Sequence, residues 1–238
     1  MKYFYLQWHI TNECQNKCKH CYQKDYSKQE IQIDNAKKIV DDLIKCSQIM
    51  NVEPKVSITG GDPLLSKNFF DIAYNLKRYN IKFSILGNPE LLLSNNIYYD
   101  KLKDLNLDFY QLSLDGNVLI HDKLRYEGSF KKTTQAIKEL VEKGIKVNIL
   151  STITRLNYDT IFEVMDLSYS LGANHWDFSR YVGENKICDI PSREYFYFLK
   201  RLNNKHKKYE NIGKHPLSKE PLLAVLKEAP KNEVICGG

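Results

Sequence analysis

Strand-like and helix-like segments alternate along almost the whole chain, and this alternation limits the available folds more than any other feature. Residues 3–10 are aromatic and β-branched, as in a buried strand, and strand-like runs recur at 55–59, 81–86, 107–114, 145–153 and 176–181. Between them lie apolar residues at helical spacing, over 31–49 (Ala36, Ile39, Val40, Leu43, Ile44), 68–79, 91–105, 130–143, 158–171 and 192–206, with a further helix expected over 217–226. Lys143-Gly144 and Leu171-Gly172 supply the turn residues that end helices. Six βα units predict a parallel sheet, because parallel strands need crossover connections. Both a doubly wound sheet and a curved barrel fit this pattern. At 238 residues the chain is long enough for one well-buried core.

Several function classes fall away early. No stretch approaches the roughly 18 uninterrupted apolar residues of a membrane span. The start, MKYFYLQWHITNEC, lacks the basic region, apolar run and cleavage site of a secretion signal. A soluble, cytoplasmic protein is the expectation. The net charge of +6 is modest, and nothing resembles a base-reading module, so neither nucleic acid nor membrane is expected as a partner.

Three of the six cysteines, Cys14, Cys18 and Cys21, crowd into C-x-x-x-C-x-x-C directly after the first strand. The C-terminal ends of strands are where α/β folds build sites. Thiolates ligate iron–sulfur clusters, and three of them leave one iron of a four-iron cluster without a protein ligand. Zinc completed by His9 or His20 is a second reading, and three unrelated thiols a third. Cys46 falls among the apolar positions of the first helix and reads as core; Cys188 and Cys236 stand apart.

With His20 before its last cysteine and Tyr22 after it, the motif resembles that of the radical S-adenosylmethionine (SAM) superfamily, and is closest to its peptide- and protein-modifying, SPASM-associated branch. The resemblance runs from about Tyr3 to Tyr181. It implies an α/β fold, the partial (β/α)6 TIM-like barrel of the radical SAM core. It also implies a [4Fe-4S] cluster on Cys14, Cys18 and Cys21, with SAM chelating the open iron. Thr59-Gly60-Gly61-Asp62-Pro63 is similar to the family's Gly-Gly-Glu-Pro segment, which binds the amino group of SAM. Asp62 replaces the usual glutamate, and its shorter arm shifts that contact toward backbone carbonyls. Gln111-Leu112-Ser113-Leu114-Asp115-Gly116 resembles Q-x-S-L-D-G, which assigns Ser113 and the downstream Arg125 to SAM's ribose or carboxylate. Ile153 and Asn157 are carried over as adenine-side contacts, and Tyr22 as a cofactor neighbour. Leu86-Gly87-Asn88 departs from the usual Thr-Asn-Gly, and Asn88 receives no role.

The resemblance assigns residues 1–212 to the radical SAM core and 213–238 to an extension, with Cys236-Gly237-Gly238 looking like the start of a SPASM-like domain. The activity it implies is reductive cleavage of SAM to a 5′-deoxyadenosyl radical that modifies a peptide or protein by crosslinking, epimerisation or side-chain oxidation. Flavodoxin or ferredoxin is the implied electron donor. A small-molecule radical SAM enzyme of cofactor biosynthesis and a non-enzymatic zinc-stabilised module are the alternatives.

Overall fold

A computed structural model describes residues 2–210 of the chain. Its strands are β1 (Tyr3–His9), β2 (Glu53–Thr59), β3 (Lys82–Leu86), β4 (Tyr110–Ser113), β5 (Val147–Ile153) and β6 (His175–Arg180). They form one sheet in the order β1-β2-β3-β4-β5-β6. The pairs β1/β2, β2/β3, β3/β4 and β5/β6 are parallel, with Tyr3 opposite Glu53 and His9 opposite Thr59 in the first. This order never reverses. A doubly wound sheet must reverse at its switch point, so the expectation of barrel-type winding holds. Right-handed crossovers that always advance in one direction put their helices on a single face.

The strands therefore alternate rather than run continuously apolar. Val56, Ile58, Phe83 and Ile85 are buried on the helix-covered face, while Lys55, Ser57 and Lys82 on the other are half-buried or exposed. The first strand was expected to be buried, and it is not. Only Trp8 of β1 is buried, and Tyr5 is 63% exposed. Two causes combine: β1 is an edge of the sheet, and its odd-numbered residues stand on the helix-free face. There Tyr3 and Tyr5 pack with ring centroids 6.0 Å apart, and the Lys55 ammonium lies 4.0 Å from the centre of the Tyr3 ring.

The helices are α1 (Ile33–Met50), α2 (Phe69–Arg78), α3 (Glu90–Ser94), α4 (Ile97–Leu105), α5 (Val118–Leu124), α6 (Ser129–Glu142), α7 (Ile161–Ser170) and α8 (Ser192–Glu210). The single helix expected over 91–105 is two, α3 and α4, broken at Asn95-Asn96. Helix α5 was not anticipated. It is only two turns long, too short for a periodic pattern, and it starts where the Asn117 carboxamide oxygen accepts from the Ile120 N–H at 3.2 Å. Gly144 and Gly172 adopt positive φ of 77° and 91° just past α6 and α7, as their sequence contexts predicted. Cys46 is exposed rather than core: the buried stripe of α1 is Ala36, Val40, Leu43 and Ser47, and Ser47 takes the position Cys46 was expected to fill. Cys188 is buried. The helix expected over 217–226, the extension 213–238 and Cys236 lie outside the described residues. Among the described residues no helix is long and apolar enough to cross a membrane.

The chain divides into two compact units. Within the described residues, one comprises 2–17, 23–112 and 132–147; the other comprises 18–22, 113–131 and 148–210. The core of the first includes Ile58, Phe69, Leu76, Ile85 and Tyr110. The second is centred on Trp176, which stacks on Phe178 at 5.7 Å, while Phe178 meets Phe198 edge-on at 5.1 Å. The indole N–H of Trp176 donates to the Ser151 hydroxyl at 2.9 Å, and that hydroxyl donates to the Leu114 carbonyl at 2.6 Å. Replacing Trp176 by Ala should cost about 3–5 kcal/mol of stability. Ser151→Ala, which strands the buried indole N–H, should cost about 1–3 kcal/mol. Urea unfolding midpoints measure both, and equal midpoints for wild type and Trp176→Ala would contradict this packing.

Candidate cofactor site

In the first unit, the segment that follows β1 is stitched to the end of β2. Gly61 N–H donates to the Thr11 carbonyl and Asp62 N–H to the Glu13 carbonyl, each at 2.8 Å. This closeness explains the two glycines. A Cβ on Gly60 would stand 2.5 Å from the Thr11 carbonyl oxygen. One on Gly61 would strike the Glu13 carbonyl and come within 2.8 Å of Cys14 Cβ. The glycine pair that resembles a SAM-binding segment is thus also the seat of the Cys14 loop.

Cys14 Sγ accepts from the Asn16 N–H and from the Asn88 carboxamide, both at 3.4 Å. Asn88 is therefore a site residue that the sequence reading left without a role. Its signal, the Leu-Gly-Asn end of β3, was obscured by the altered order. Gly87 is required beside it because a Cβ there would collide with the Tyr110 hydroxyl, which donates to the Asn88 carbonyl at 3.3 Å.

Asp62 is fully buried. Its carboxylate accepts from Gln15 Nε2 at 2.8 Å and from the Leu64 N–H at 3.3 Å, so it caps the short 3-10 turn Pro63–Leu65. Burial raises its pKa to about 6, against the opposing pull of those hydrogen bonds. No cationic side chain among the described residues pairs with it.

In the second unit, the Cys18–Tyr22 segment is pinned by Lys19 N–H donating to the Leu124 carbonyl at 2.8 Å and by the Asn185 carboxamide donating to the Lys19 carbonyl at 3.0 Å. A buried polar network lies beside it. Asp115 accepts from Arg125 Nε at 2.7 Å and from the Thr152 N–H at 2.8 Å, and it faces His20 Nε2 at 3.5 Å. Burial alone would raise the Asp115 pKa, but Arg125, His20 and His121 outweigh it and hold the pKa near 2. Burial lowers the pKa of His20, against the pull of the Asp115 carboxylate beside it. His121 Nδ1 accepts from the Asp115 N–H at 3.0 Å, which fixes the Nε2–H tautomer that donates to Ser129 Oγ at 3.0 Å. Burial, then Arg125, pushes the His121 pKa to about 4, so the ring stays neutral.

Arg125 is largely buried. Besides Asp115 it reaches the first sulfur of this segment, with Nη1 donating to Cys18 Sγ at 3.7 Å. Asn157 is saturated by the protein: its oxygen accepts from the Thr154 N–H and hydroxyl, and its nitrogen donates to the Asp115 and Thr152 carbonyls at 2.7 and 2.8 Å. It braces the β4 and β5 ends through the backbone. Ile153 is buried, Ser113 half-buried, Cys21 exposed and Tyr22 70% exposed.

Among the described residues no three His, Cys, Asp or Glu side chains are disposed to hold a metal ion. The donor chemistry still fits an iron–sulfur centre. Cys14 and Cys18 each receive N–H donors, as suits thiolates of an iron–sulfur centre, whose potential such hydrogen bonds help to set. His9 is bonded to Asn12 at 3.0 Å and His20 faces Asp115. Asp62, a buried carboxylate without a cation, fits a ligand that carries an ammonium.

The chain matches the family model of the radical SAM superfamily over residues 8–168, 161 of its 238 residues. It is 29% identical over 164 residues to the Fe-coproporphyrin III synthase of Methanosarcina barkeri, covering 67% of this chain and 39% of that protein. It superposes on Streptococcus suis SuiB bound to S-adenosylmethionine with a TM-score of 0.76 at 18% identity, covering 98% of this chain and 54% of SuiB. Against SuiB bound to its precursor peptide SuiA the TM-score is 0.69, over 86% of this chain and 47% of SuiB. The chain thus spans between about two fifths and just over half of these proteins. The fold is the partial (β/α)6 barrel shared with these solved structures, and on the family match and that fold together the chain belongs to the radical SAM superfamily, whose cofactors are a [4Fe-4S] cluster and S-adenosylmethionine.

Proposed function

We propose that this chain holds the cluster through Cys14, Cys18 and Cys21, cleaves SAM reductively and modifies a peptide or protein substrate. The observation that carries the first two steps is the set of N–H donors aimed at the Cys14 and Cys18 sulfurs. When bound, a [4Fe-4S] cluster on these thiolates would supply the one electron that cleaves SAM to methionine and a 5′-deoxyadenosyl radical, which would take a hydrogen atom from substrate carbon. The chain's own residues bind and orient. The carbonyls of Gly60 and Gly61 take the SAM ammonium, with the Asp62 charge behind them. Ser113 and the remaining Arg125 donors take the ribose or carboxylate, a planar fork suiting the latter. Asn157 holds the β5 end at which Ile153 borders the adenine, and Tyr22 flanks the cofactor from the exposed end of the cysteine segment. An electron carrier of the flavodoxin or ferredoxin class completes the system.

The peptide reading rests on the Gln111–Gly116 segment and the His20-Cys21-Tyr22 ending. The helix-free face of the first unit supports it: Tyr5, Gln7 and His9 are exposed there, and Ser57 and Ser84 share a hydrogen bond at 3.0 Å. Amide and hydroxyl groups along a strand match the alternating donors and acceptors of an extended chain. A small-molecule substrate is the second reading, favoured by the similarity to Fe-coproporphyrin III synthase.

Three outcomes follow. Joint replacement of Cys14, Cys18 and Cys21 by Ala should abolish the visible absorption of the reconstituted protein and its 5′-deoxyadenosine, while circular dichroism stays unchanged; retained 5′-deoxyadenosine refutes the ligand set. The Asp62 outcome follows from linkage. Its folded pKa of about 6 lies above the unfolded value, so the protonated form stabilises the fold fully below about pH 4, and this is lost as the pH rises through 6. Glu90 and Tyr110 face the same carboxyl. In ligand-free protein the stability gap between wild type and Asp62→Asn should shift by on the order of 3 kcal/mol between pH 4 and pH 7, toward the variant; a constant gap in urea unfolding contradicts this. For the substrate, anaerobic assays with SAM and peptides encoded beside the gene should give a mass change on a peptide. Efficient turnover of a tetrapyrrole or nucleotide with every such peptide inert would establish the second reading instead.

A further inference from the structure

Arg125 is held in a way that a purely structural ion pair does not need. A guanidinium that only balances a carboxylate does best by presenting two parallel N–H groups to it. Here only Nε serves Asp115, at 2.7 Å, and Nη1 points instead to Cys18 Sγ at 3.7 Å. The guanidinium is planar, so fixing Nε fixes the direction of Nη1. Asp115 is itself immobilised by the Thr152 N–H at 2.8 Å and by Asn157, which donates to its carbonyl at 2.7 Å. The positive end of this buried pair thus faces the sulfur, and its negative end lies on the far side. Cys14, by contrast, takes the neutral donors Asn16 N–H and Asn88.

We propose that Arg125, clamped by Asp115, is a positioning residue for the iron–sulfur centre, presenting a fixed cation to the Cys18 sulfur so that the centre accepts an electron more readily, independently of SAM. This rests on the reading of Cys18 as a cluster ligand. The physical basis is simple. Reduction adds one negative charge to the centre, and a desolvated cation beside a ligand sulfur stabilises the reduced state more than the oxidised one. Hydrogen bonds to the sulfurs and net charge are among the factors that set such potentials.

The test uses the reconstituted holoenzyme without SAM, as wild type, Arg125→Gln and Arg125→Lys. Iron and sulfide are assayed, and the reduced centre is followed by electron paramagnetic resonance during titration with dithionite, which supplies the electron. The glutamine variant should keep its iron and sulfide, and its ratio of reduced to oxidised centre at a fixed potential should fall about tenfold, a shift of about 59 mV to more negative values for a one-electron couple. The lysine variant, which keeps the charge without the fork, should fall between it and wild type. An unchanged potential in Arg125→Gln overturns the inference, including the case in which only SAM affinity is lost. Should the glutamine variant lose its centre, Arg125→Lys decides alone: a lowered potential supports the inference and an unchanged one overturns it. Wild type that assembles no four-iron centre overturns the ligand role of Cys18, and the inference with it; normal iron and sulfide with unshifted variants overturns the Arg125 role only.

Discussion

The buried carboxylate of Asp115 has to be compensated where it sits, and the second unit is arranged around that requirement. A lone ionised carboxylate in a protein interior costs several kcal/mol or more. Arg125 supplies the charge, Thr152 a backbone N–H, and His20 an imidazole nitrogen 3.5 Å away. Each contact ties a different segment to the β4 end: Arg125 follows α5, Thr152 is on β5, and His20 lies between two cysteines. The residue that stabilises the turn after β4 thereby also sets where the cysteine segment lies. Removing Asp115 would leave a buried guanidinium uncompensated, so the whole arrangement is specified together.

The first unit solves the corresponding problem with backbone rather than charge. The loop bearing Cys14 lies against Gly60 and Gly61 through two backbone hydrogen bonds, at a separation that admits no Cβ. The glycines do not merely leave room for a ligand. They let the segment after one strand close on the end of the next.

This explains which features were legible in the sequence. The six strands could be read because β-branched runs bounded by turn residues recur on the helix-covered face, and the C-x-x-x-C-x-x-C and Gly-Gly-Asp-Pro motifs stand out by residue type. The exposed state of β1 could not be read. Tyr3 and Tyr5 look like core residues, and only the place of their strand at the sheet edge puts them on an open face. Helix α5 was missed because two turns give no periodic signal, and Cys46 was misplaced because one position on a helix turns a side chain through 100°. Asn88 went unassigned because its contact with Cys14 depends on how β3 ends, which spacing does not encode. The saturated hydrogen bonding of Asn157 was equally invisible, since a side chain's partners come from tertiary structure.

Asp62 and Asp115 make the most informative comparison. Both are fully buried and both follow a strand end, yet their pKa values are pushed in opposite directions, to about 6 and about 2. The difference lies in what surrounds them. Asp115 has a guanidinium at 2.7 Å, whereas Asp62 has only the neutral Gln15 and backbone N–H groups, with Glu90 adding repulsion. A protein that has met the cost of one buried carboxylate with an internal cation has left the other without one. Asp115 is compensated by the fold, so its charge is part of what holds the second unit together. Asp62 has no internal cation, so the first unit carries its charge at a cost once the pH rises above about 6. The same residue type, equally buried, thus stabilises one unit as an anion and the other as a neutral acid, because a carboxyl's worth to a fold is set by the charges around it rather than by its burial.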